Sequence, residues 1–232
     1  MRLIFVRHGE PDYANDCLTE NGKKQAINVA MRLKDEDISA IFSSPMGRAR
    51  ETASYTAKSH NLEIQNLDFM HEIDWGNKEE NIEKVPYNGH PWTLAYELLT
   101  EKPEYVGSSD WDKHHYFKDN ICLDYYQKVS RGFDAFLEQF GLFRKNGIYE
   151  CKENNDKNIA LFAHGGSGSI MFSHVLSLPF PFVLTSMPYG VCSISIIDFT
   201  AQNGEMIIPR LELFNDMDHI ESYKRETLHF EK

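Results

Sequence analysis

The pattern of apolar and polar positions over the first 70 residues predicts alternating strands and helices. Short apolar runs at residues 3–6, 38–42 and 62–69 are typical of strands, and the first run is apolar without interruption. A continuous apolar run indicates a strand buried on both faces, as in a parallel sheet. Apolar residues recur at helical spacing over residues 19–33, and a second helix is predicted over residues 46–60. This order of strands and helices predicts a parallel α/β sheet.

Residues 78–120 interrupt the alternation. They contain three prolines and clusters of charge, together with Trp92 and Trp111. We interpret this segment as short helices and loops that form a lid-like insert over the carboxyl edge of the sheet. Its aromatic content argues against a solvated linker.

The second half of the chain returns to regular patterns. A long helix is predicted over residues 121–140, followed by a polar stretch that is either a hairpin or a loose loop. The apolar run at 158–163 predicts another buried strand, with a helix over 169–178. Residues 191–199 and 207–214 alternate with β-branched positions and predict a paired hairpin.

Together these elements predict one domain over residues 1–232. The expected fold class is α/β with three layers, in which helices flank a mostly parallel sheet. A length of 232 residues is sufficient for a large single core with an insert.

Two of the predicted buried strands end in the same dipeptide. His8-Gly9 follows the first strand, and His164-Gly165 follows the strand at 158–163. Ligands bind at the carboxyl ends of strands in open α/β sheets, so the two histidines are expected at one edge. A single histidine at a strand end more often makes a local hydrogen bond than it belongs to a functional site. The occurrence of the pattern at two strand ends favours a functional site.

Two arginines are expected at the same edge. Arg7 precedes His8, and Arg48 lies in the first turn of the helix over residues 46–60. The amino end of a helix attracts anions, so a cation there is misplaced unless it shares a bound anion. Two guanidinium groups beside two imidazoles therefore predict a phosphate pocket.

Composition restricts the classes of partner. The chain carries 24 basic and 35 acidic residues, a formal net charge of -11, which argues against nucleic acid and anionic membranes. No apolar run approaches the length of a membrane span. The four cysteines have no metal-binding or framework spacing and suit reduced thiols. We expect a cytoplasmic protein that binds a small phosphorylated molecule, with its oligomeric state open.

The chain resembles the histidine phosphatase superfamily, which contains the cofactor-dependent phosphoglycerate mutases. Five motifs carry the resemblance in family order: Arg7-His8-Gly9-Glu10, Leu18-Thr19 with Gly22 and Gln25-Ala26, Ser43-Ser44-Pro45 with Arg48-Ala49 and Thr52-Ala53, Glu72 ahead of Trp75-Gly76, and His164-Gly165-Gly166. They cover about residues 2–77 and 158–178.

The resemblance implies a role for each matching residue. His8 would be the nucleophile that becomes a phosphohistidine. Arg7, Arg48 and His164 would bind the phosphoryl oxygens, and Glu72 would act as general acid and then general base. Asp74 is the alternative acid, and Gly165 and Asn15 would be further substrate contacts. The resemblance implies no metal and no cofactor.

The chain departs from the family pattern at two places. The positions three and six residues after His8, where family members often carry a hydroxyl residue and Asn, hold Pro11 and Ala14. Asn15 is the nearest candidate for the second role. Residues 78–120 contain no arginine, whereas the mutases hold their substrate carboxylate with an arginine pair there. This lack favours hydrolysis over phosphoglycerate mutase-type transfer.

Two rival readings come from other classes. A non-catalytic module could use the same pocket to bind phosphate. A metal hydrolase could draw on Asp110, Asp112, His114 and His115, but these lack the spacing of known zinc motifs. A solvated polar loop is the favoured interpretation of that cluster.

Overall fold

The computed structural model describes residues 1–78 and 84–220. The strands are β1 Arg2–Arg7, β2 Pro11–Asp12, β3 Cys17–Leu18, β4 Ile38–Ser43, β5 Ile64–Asn66, β6 Leu142–Lys145, β7 Ile148–Cys151, β8 Asn158–Ala163, β9 Ile194–Asp198, β10 Met206–Ile207 and β11 Arg210–Asp216. The α-helices are α1 Glu20–Leu33, α2 Gly47–His60, α3 Pro91–Glu101, α4 His115–Lys118, α5 Cys122–Glu138, α6 Gly165–Val175 and α7 Phe180–Ser186.

The main sheet has the strand order β11-β9-β1-β8-β4-β5. Strands β1, β8, β4 and β5 are mutually parallel, whereas β9 and β11 join antiparallel at the edge beyond β1. The mostly parallel α/β class predicted from the sequence is confirmed. Strand β1 is central, with β8 on one side and β9 on the other.

Alternation along β1 produces the three layers. Leu3 and Phe5 point into a core that contains Phe136 of α5 and Phe172 of α6. Ile4 and Val6 belong to the opposite core, which contains residues of α1 and α2. Successive strand side chains point to opposite faces, so a continuous apolar run is needed when helices cover both.

The start predicted for α6 is wrong. The helix begins at Gly165 rather than near residue 169. Its glycines allow close packing: an ideal Cβ on Gly168 would lie 2.3 Å from Cζ of Phe5, and one on Gly166 would lie 2.4 Å from Ile73. Packing against β1 outweighs the low helix propensity of glycine.

Other boundaries differ less. β5 spans only Ile64–Asn66, so most of the predicted strand at residues 62–69 is loop and 3₁₀-helix. Residues 142–151 form the hairpin alternative of the polar stretch. β9 and β11 pair as predicted, but β10, at the start of the second predicted strand, pairs with β7 in a separate small sheet.

The described part of the insert, residues 78 and 84–120, is helices and loops as expected. Trp111 is its anchor, because its ring lies 4.9 Å from Tyr126 of α5 and 5.5 Å from Phe180 of α7. Residues 79–83 of the predicted insert lie outside the described residues. Closure of the insert over the sheet edge stays a prediction.

None of the helices in the described part of the chain combines the length and apolarity that a membrane crossing requires.

Candidate active site

His8 lies at the carboxyl end of β1 with one ring nitrogen fixed. Its backbone N–H donates to the Ala163 carbonyl at 2.9 Å, and its Nδ1 lies 2.8 Å from the Gly9 carbonyl oxygen. A carbonyl can only accept, so Nδ1 carries the proton and Nε2 carries the lone pair. Burial, and then the charge of Arg7, lower the pKa of His8 to about 3. The imidazole is therefore neutral with Nε2 available.

The turn after His8 requires glycine. An ideal Cβ on Gly9 would lie 2.8 Å from the Gly22 carbonyl oxygen, closer than two such atoms approach. The Gly9 N–H donates to Oγ1 of Thr52 on α2 at 3.0 Å. This contact ties the strand end to the helix that carries Arg48.

His164 stands beside His8 because β1 and β8 are adjacent and in register. Arg7 pairs with Ala163, and the two imidazole centroids lie 5.1 Å apart. His164 Nε2 lies 2.7 Å from Oγ of Ser44, the residue that follows β4. Its Nδ1 is buried and has no hydrogen-bond partner among the described residues. Burial, then the neighbouring His8 and Arg48, lower the pKa of His164.

The two arginines enter the same pocket from different elements. Arg48, in the first turn of α2, is 5% exposed and directs Nε at Nε2 of His8, 3.4 Å away. Arg7, at the end of β1, donates from Nη1 to the Tyr189 carbonyl at 2.9 Å. An ideal Cβ on Gly165 would lie 3.6 Å from Cζ of Arg7. The predicted cations and both predicted imidazoles are thus brought together.

Glu72 occupies the amino end of α6. Its Oε1 accepts from the N–H groups of Ile73 at 2.9 Å, Gly166 at 3.0 Å and Ser167 at 3.2 Å. Burial raises the pKa of Glu72, although the Ile73 N–H and the charge of Arg7 oppose that change. A carboxyl with a raised pKa beside a phosphoryl pocket suits proton donation.

Asp74, the alternative acid, has a different environment. It is exposed, and its Oδ1 accepts from the N–H of Trp75 at 2.9 Å. No hydrogen bond in the described part of the chain joins it to His8, His164 or α6. The geometry favours Glu72.

Asn15 is not brought to the site. Its side chain is exposed and donates to Oδ2 of Asp12 at 2.8 Å, within its own loop. The next residue, Asp16, contacts Arg48 instead, with Oδ1 2.6 Å from Nη1. The anion beside the start of α2 is therefore a carboxylate of the protein, which the sequence argument had not included.

Sequence reasoning missed Asp16, Ser44 and Tyr189. Tyr189 is buried, accepts from Arg7 through its carbonyl and donates from its hydroxyl to the Gly165 carbonyl at 2.6 Å. Ser44 had a detectable signal, because it ends a strand predicted in the same sheet. Asp16 and Tyr189 lie in connections whose course the sequence pattern does not reveal.

The polar cluster of the insert shows no metal site. Across the described residues, no group of three or more His, Cys, Asp or Glu side chains has metal-binding geometry. Asp110 pairs with Lys113 at 2.6 Å, and Nδ1 of His114 accepts from the Tyr116 N–H at 3.3 Å. These contacts are structural.

The pocket combines fixed positive charge with neutral imidazoles and a carboxyl. The guanidinium groups suit the oxygens of a phosphoryl group. A neutral imidazole with an unprotonated nitrogen is the form that attacks phosphorus. The arrangement can therefore bind a phosphate ester and attack it.

Comparison with known proteins shows a partial match to one family model. The model described as histidine phosphatase superfamily (branch 1) matches residues 3–109 of this chain. The match includes His8, Arg48 and Glu72 and ends before His164.

Two curated relatives carry different activities in their names. Phosphoserine phosphatase 1 of Hydrogenobacter thermophilus is 36% identical over 106 residues, which cover 40% of this chain. The 2,3-bisphosphoglycerate-dependent phosphoglycerate mutase of Thermoplasma acidophilum is 35% identical over 101 residues, 38% of this chain. The chain spans about half the length of these relatives, 50% of each.

The fold likeness extends further. A phosphoserine phosphatase of Entamoeba histolytica, solved with phosphoserine, superposes with a TM-score of 0.62 at 21% identity. The superposition covers 94% of this chain and 98% of the other. The family-model match and the named relatives confirm the resemblance to the histidine phosphatases seen in the sequence, and the superposition shows a shared fold.

Proposed function

We propose that this protein is an enzyme that hydrolyses the phosphate monoester of a small molecule through a phosphohistidine on His8. The observation that carries the proposal is the hydrogen bond between Nδ1 of His8 and the Gly9 carbonyl, since it leaves Nε2 unprotonated and facing Arg48. The relatives named phosphatase support the same reading.

In the first step the Nε2 lone pair of His8 attacks phosphorus, and the ester P–O bond breaks. Arg7, Arg48 and His164 stabilise the charge on the phosphoryl oxygens. The leaving oxygen takes its proton from Glu72, whose raised pKa favours the protonated form.

In the second step Glu72, now a carboxylate, takes a proton from water. The water oxygen attacks phosphorus, the P–N bond breaks, and its electron pair returns to Nε2. Phosphate is released, Glu72 is protonated again, and the cycle requires no further reactant. Gly165, the first residue of α6, lies beside the Arg7 guanidinium and so lines the same site.

A phosphoglycerate mutase-type phosphotransferase is the second candidate, because one relative carries that name. A mutase must retain a doubly phosphorylated intermediate while it reorients, which requires dense positive charge. Residues 78–120 contain no arginine, so hydrolysis is favoured.

The testing experiment compares wild type with His8→Ala on an aryl phosphate in excess chelator. We expect turnover in the wild type and a loss of at least about 10³-fold in the variant. Acid-quenched wild type should carry a phosphoryl group that is labile in acid and stable in base, and the variant should carry none.

Each other outcome counts against part of the proposal. Turnover that is indifferent to His8 would refute the nucleophile, and turnover abolished by chelator would point to a metal. A wild type that binds inorganic phosphate without turnover on a panel of monoesters would favour the non-catalytic module. Transfer to 3-phosphoglycerate in place of water would favour the mutase.

A further inference from the structure

Asp16 lies in the loop that follows His8, and its side chain contacts the start of α2, the helix that carries Arg48. Its two carboxylate oxygens have separate partners. Oδ1 lies 2.6 Å from Nη1 of Arg48, and Oδ2 accepts from the Gly47 N–H at 2.7 Å. The carboxylate thus bridges the first turn of α2 and the guanidinium of the next residue.

The approach of this loop to α2 is close and specific. An ideal Cβ on Gly47 would lie 2.1 Å from the Asp16 carbonyl oxygen, so only glycine fits there. Asp16 itself has a φ of 47°, in the left-handed region that Asp and Asn tolerate best among the residues other than glycine. The backbone is therefore arranged to bring this one carboxylate to the start of the helix.

Arg48 is held between Asp16 and His8. While Nη1 contacts the carboxylate, Nε lies 3.4 Å from Nε2 of His8, where the phosphoryl group would bind. Arg48 is 5% exposed, whereas the Asp16 side chain is 42% exposed. Burial acts to raise the pKa of Asp16, but the Gly47 N–H and Arg48 outweigh it and hold that pKa below its usual value. Asp16 is therefore charged at neutral pH.

Resting on the proposed function, we propose that Asp16 is a positioning residue that aims Arg48 at the phosphoryl group and moderates the affinity of the pocket for phosphate. Its contact fixes one edge of the guanidinium, so the Nε edge faces His8. Its negative charge offsets part of the positive charge of Arg48, which weakens the hold on the product anion. The first effect acts on kcat, and the second acts on the dissociation constant of phosphate.

Asp16→Asn tests both effects. Asparagine tolerates the same backbone conformation but offers one acceptor oxygen, so it cannot satisfy both Gly47 and Arg48 as a carboxylate does. We expect kcat to fall by about 10- to 100-fold, in line with a small misplacement of a catalytic group. We expect the dissociation constant of inorganic phosphate to decrease several-fold. A purely structural role would weaken phosphate binding as kcat falls.

A double-mutant cycle shows whether Asp16 acts through Arg48. In an Arg48→Lys background, Asp16→Asn should change kcat by less than twofold, because the fork that it orients is gone. Asp134→Asn serves as a matched control, since it removes a carboxylate that is 2.8 Å from His174 near the far end of α6. That control should leave kcat and phosphate binding unchanged.

Phosphate affinity separates this proposal from the proposed function. If wild type binds inorganic phosphate but lacks turnover, the proposed function fails, and the change in dissociation constant still decides the role of Asp16. A dissociation constant that is unchanged or increased in Asp16→Asn would overturn the proposal, as would a kcat within twofold of wild type. If Asp16→Asn does not fold by circular dichroism, Asp16→Gly, which suits the positive φ, replaces it with the same expectations.

Discussion

At the scale of single residues, hydrogen bonds assign different roles to groups of the same chemical type. His8 has Nδ1 fixed by the Gly9 carbonyl, whereas His164 has Nε2 beside the Ser44 hydroxyl and a buried Nδ1. The two imidazoles therefore contact neighbouring residues through different nitrogens. Only His8 has Arg48 Nε directed at a nitrogen that carries the lone pair.

Glu72→Gln is the sharpest prediction at this scale. Glutamine retains an oxygen for the N–H groups of α6 but cannot donate or accept the catalytic proton. We expect turnover of an alkyl phosphate to fall by about 10²- to 10⁴-fold. With nitrophenyl phosphate the leaving group needs no proton, so a burst of product equal to the enzyme should precede slow turnover, as measured by stopped flow.

The pH dependence of turnover provides a second test of the role of Glu72, with a predicted direction. Burial raises the pKa of Glu72 and proton donation requires the protonated form, so wild-type turnover of the alkyl phosphate should fall as pH rises through that raised pKa. Glu72→Gln should lose this decline. Asp74→Asn is the control and should retain both rate and profile; a burst in that variant would transfer the role to Asp74.

At the scale of elements, local sequence signals were reliable where a side chain accepts a hydrogen bond from a backbone N–H at the start of the helix that it precedes. Thr19 precedes α1 and is a residue type that commonly caps helices, and its Oγ1 accepts from the Gly22 N–H at 3.0 Å. The same hydroxyl donates to Oε1 of Glu10 at 2.8 Å, which joins the cap to the loop after His8. Local sequence signals did not predict the start of α6, because its glycines pack against residues that are distant in sequence, Phe5 and Ile73.

Thr19→Ala should lower the free energy of unfolding by about 1 kcal/mol, because an orphan N–H of the first turn loses its acceptor. Urea denaturation measures the difference. Thr19→Ser keeps the hydroxyl and should stay within about half of that loss. Equal destabilisation by both variants would show that the methyl group, rather than the cap, is responsible.

At the scale of the whole molecule, the described insert is fastened to the body through aromatic contacts. Trp111 is 5% exposed, and its ring lies 5.3 Å from Phe117 and 5.5 Å from Phe180 of α7. Trp75, which precedes the insert, is 36% exposed and contacts His90 and Trp92 instead. One tryptophan therefore belongs to the core and the other to the surface.

Trp111→Ala should lower the free energy of unfolding by roughly 3–5 kcal/mol, because it leaves a cavity among buried rings. Trp75→Ala is the matched control and should cost about 1 kcal/mol or less. Chemical denaturation of both variants measures the difference. Similar losses would show that the insert does not depend on Trp111 for its attachment.

The sequence by itself determined the parallel core and the two His-Gly strand ends. Both follow from local properties: a strand covered on both faces needs an uninterrupted apolar run, and adjacent parallel strands end at the same edge. Residues in those patterns, such as Arg7, His8 and His164, could therefore be grouped before any contact was known.

Only the tertiary structure decided which loop residues contact the two arginines of the site. Asp16 rather than Asn15 reaches Arg48, and Tyr189 reaches Arg7, because long-range packing and a left-handed turn set the course of those loops. The two N–H groups that Gly166 and Ser167 donate to Glu72 likewise depend on α6 beginning at Gly165. That start depends on the absence of a Cβ at glycines packed against other elements, a constraint that periodicity along the chain does not express.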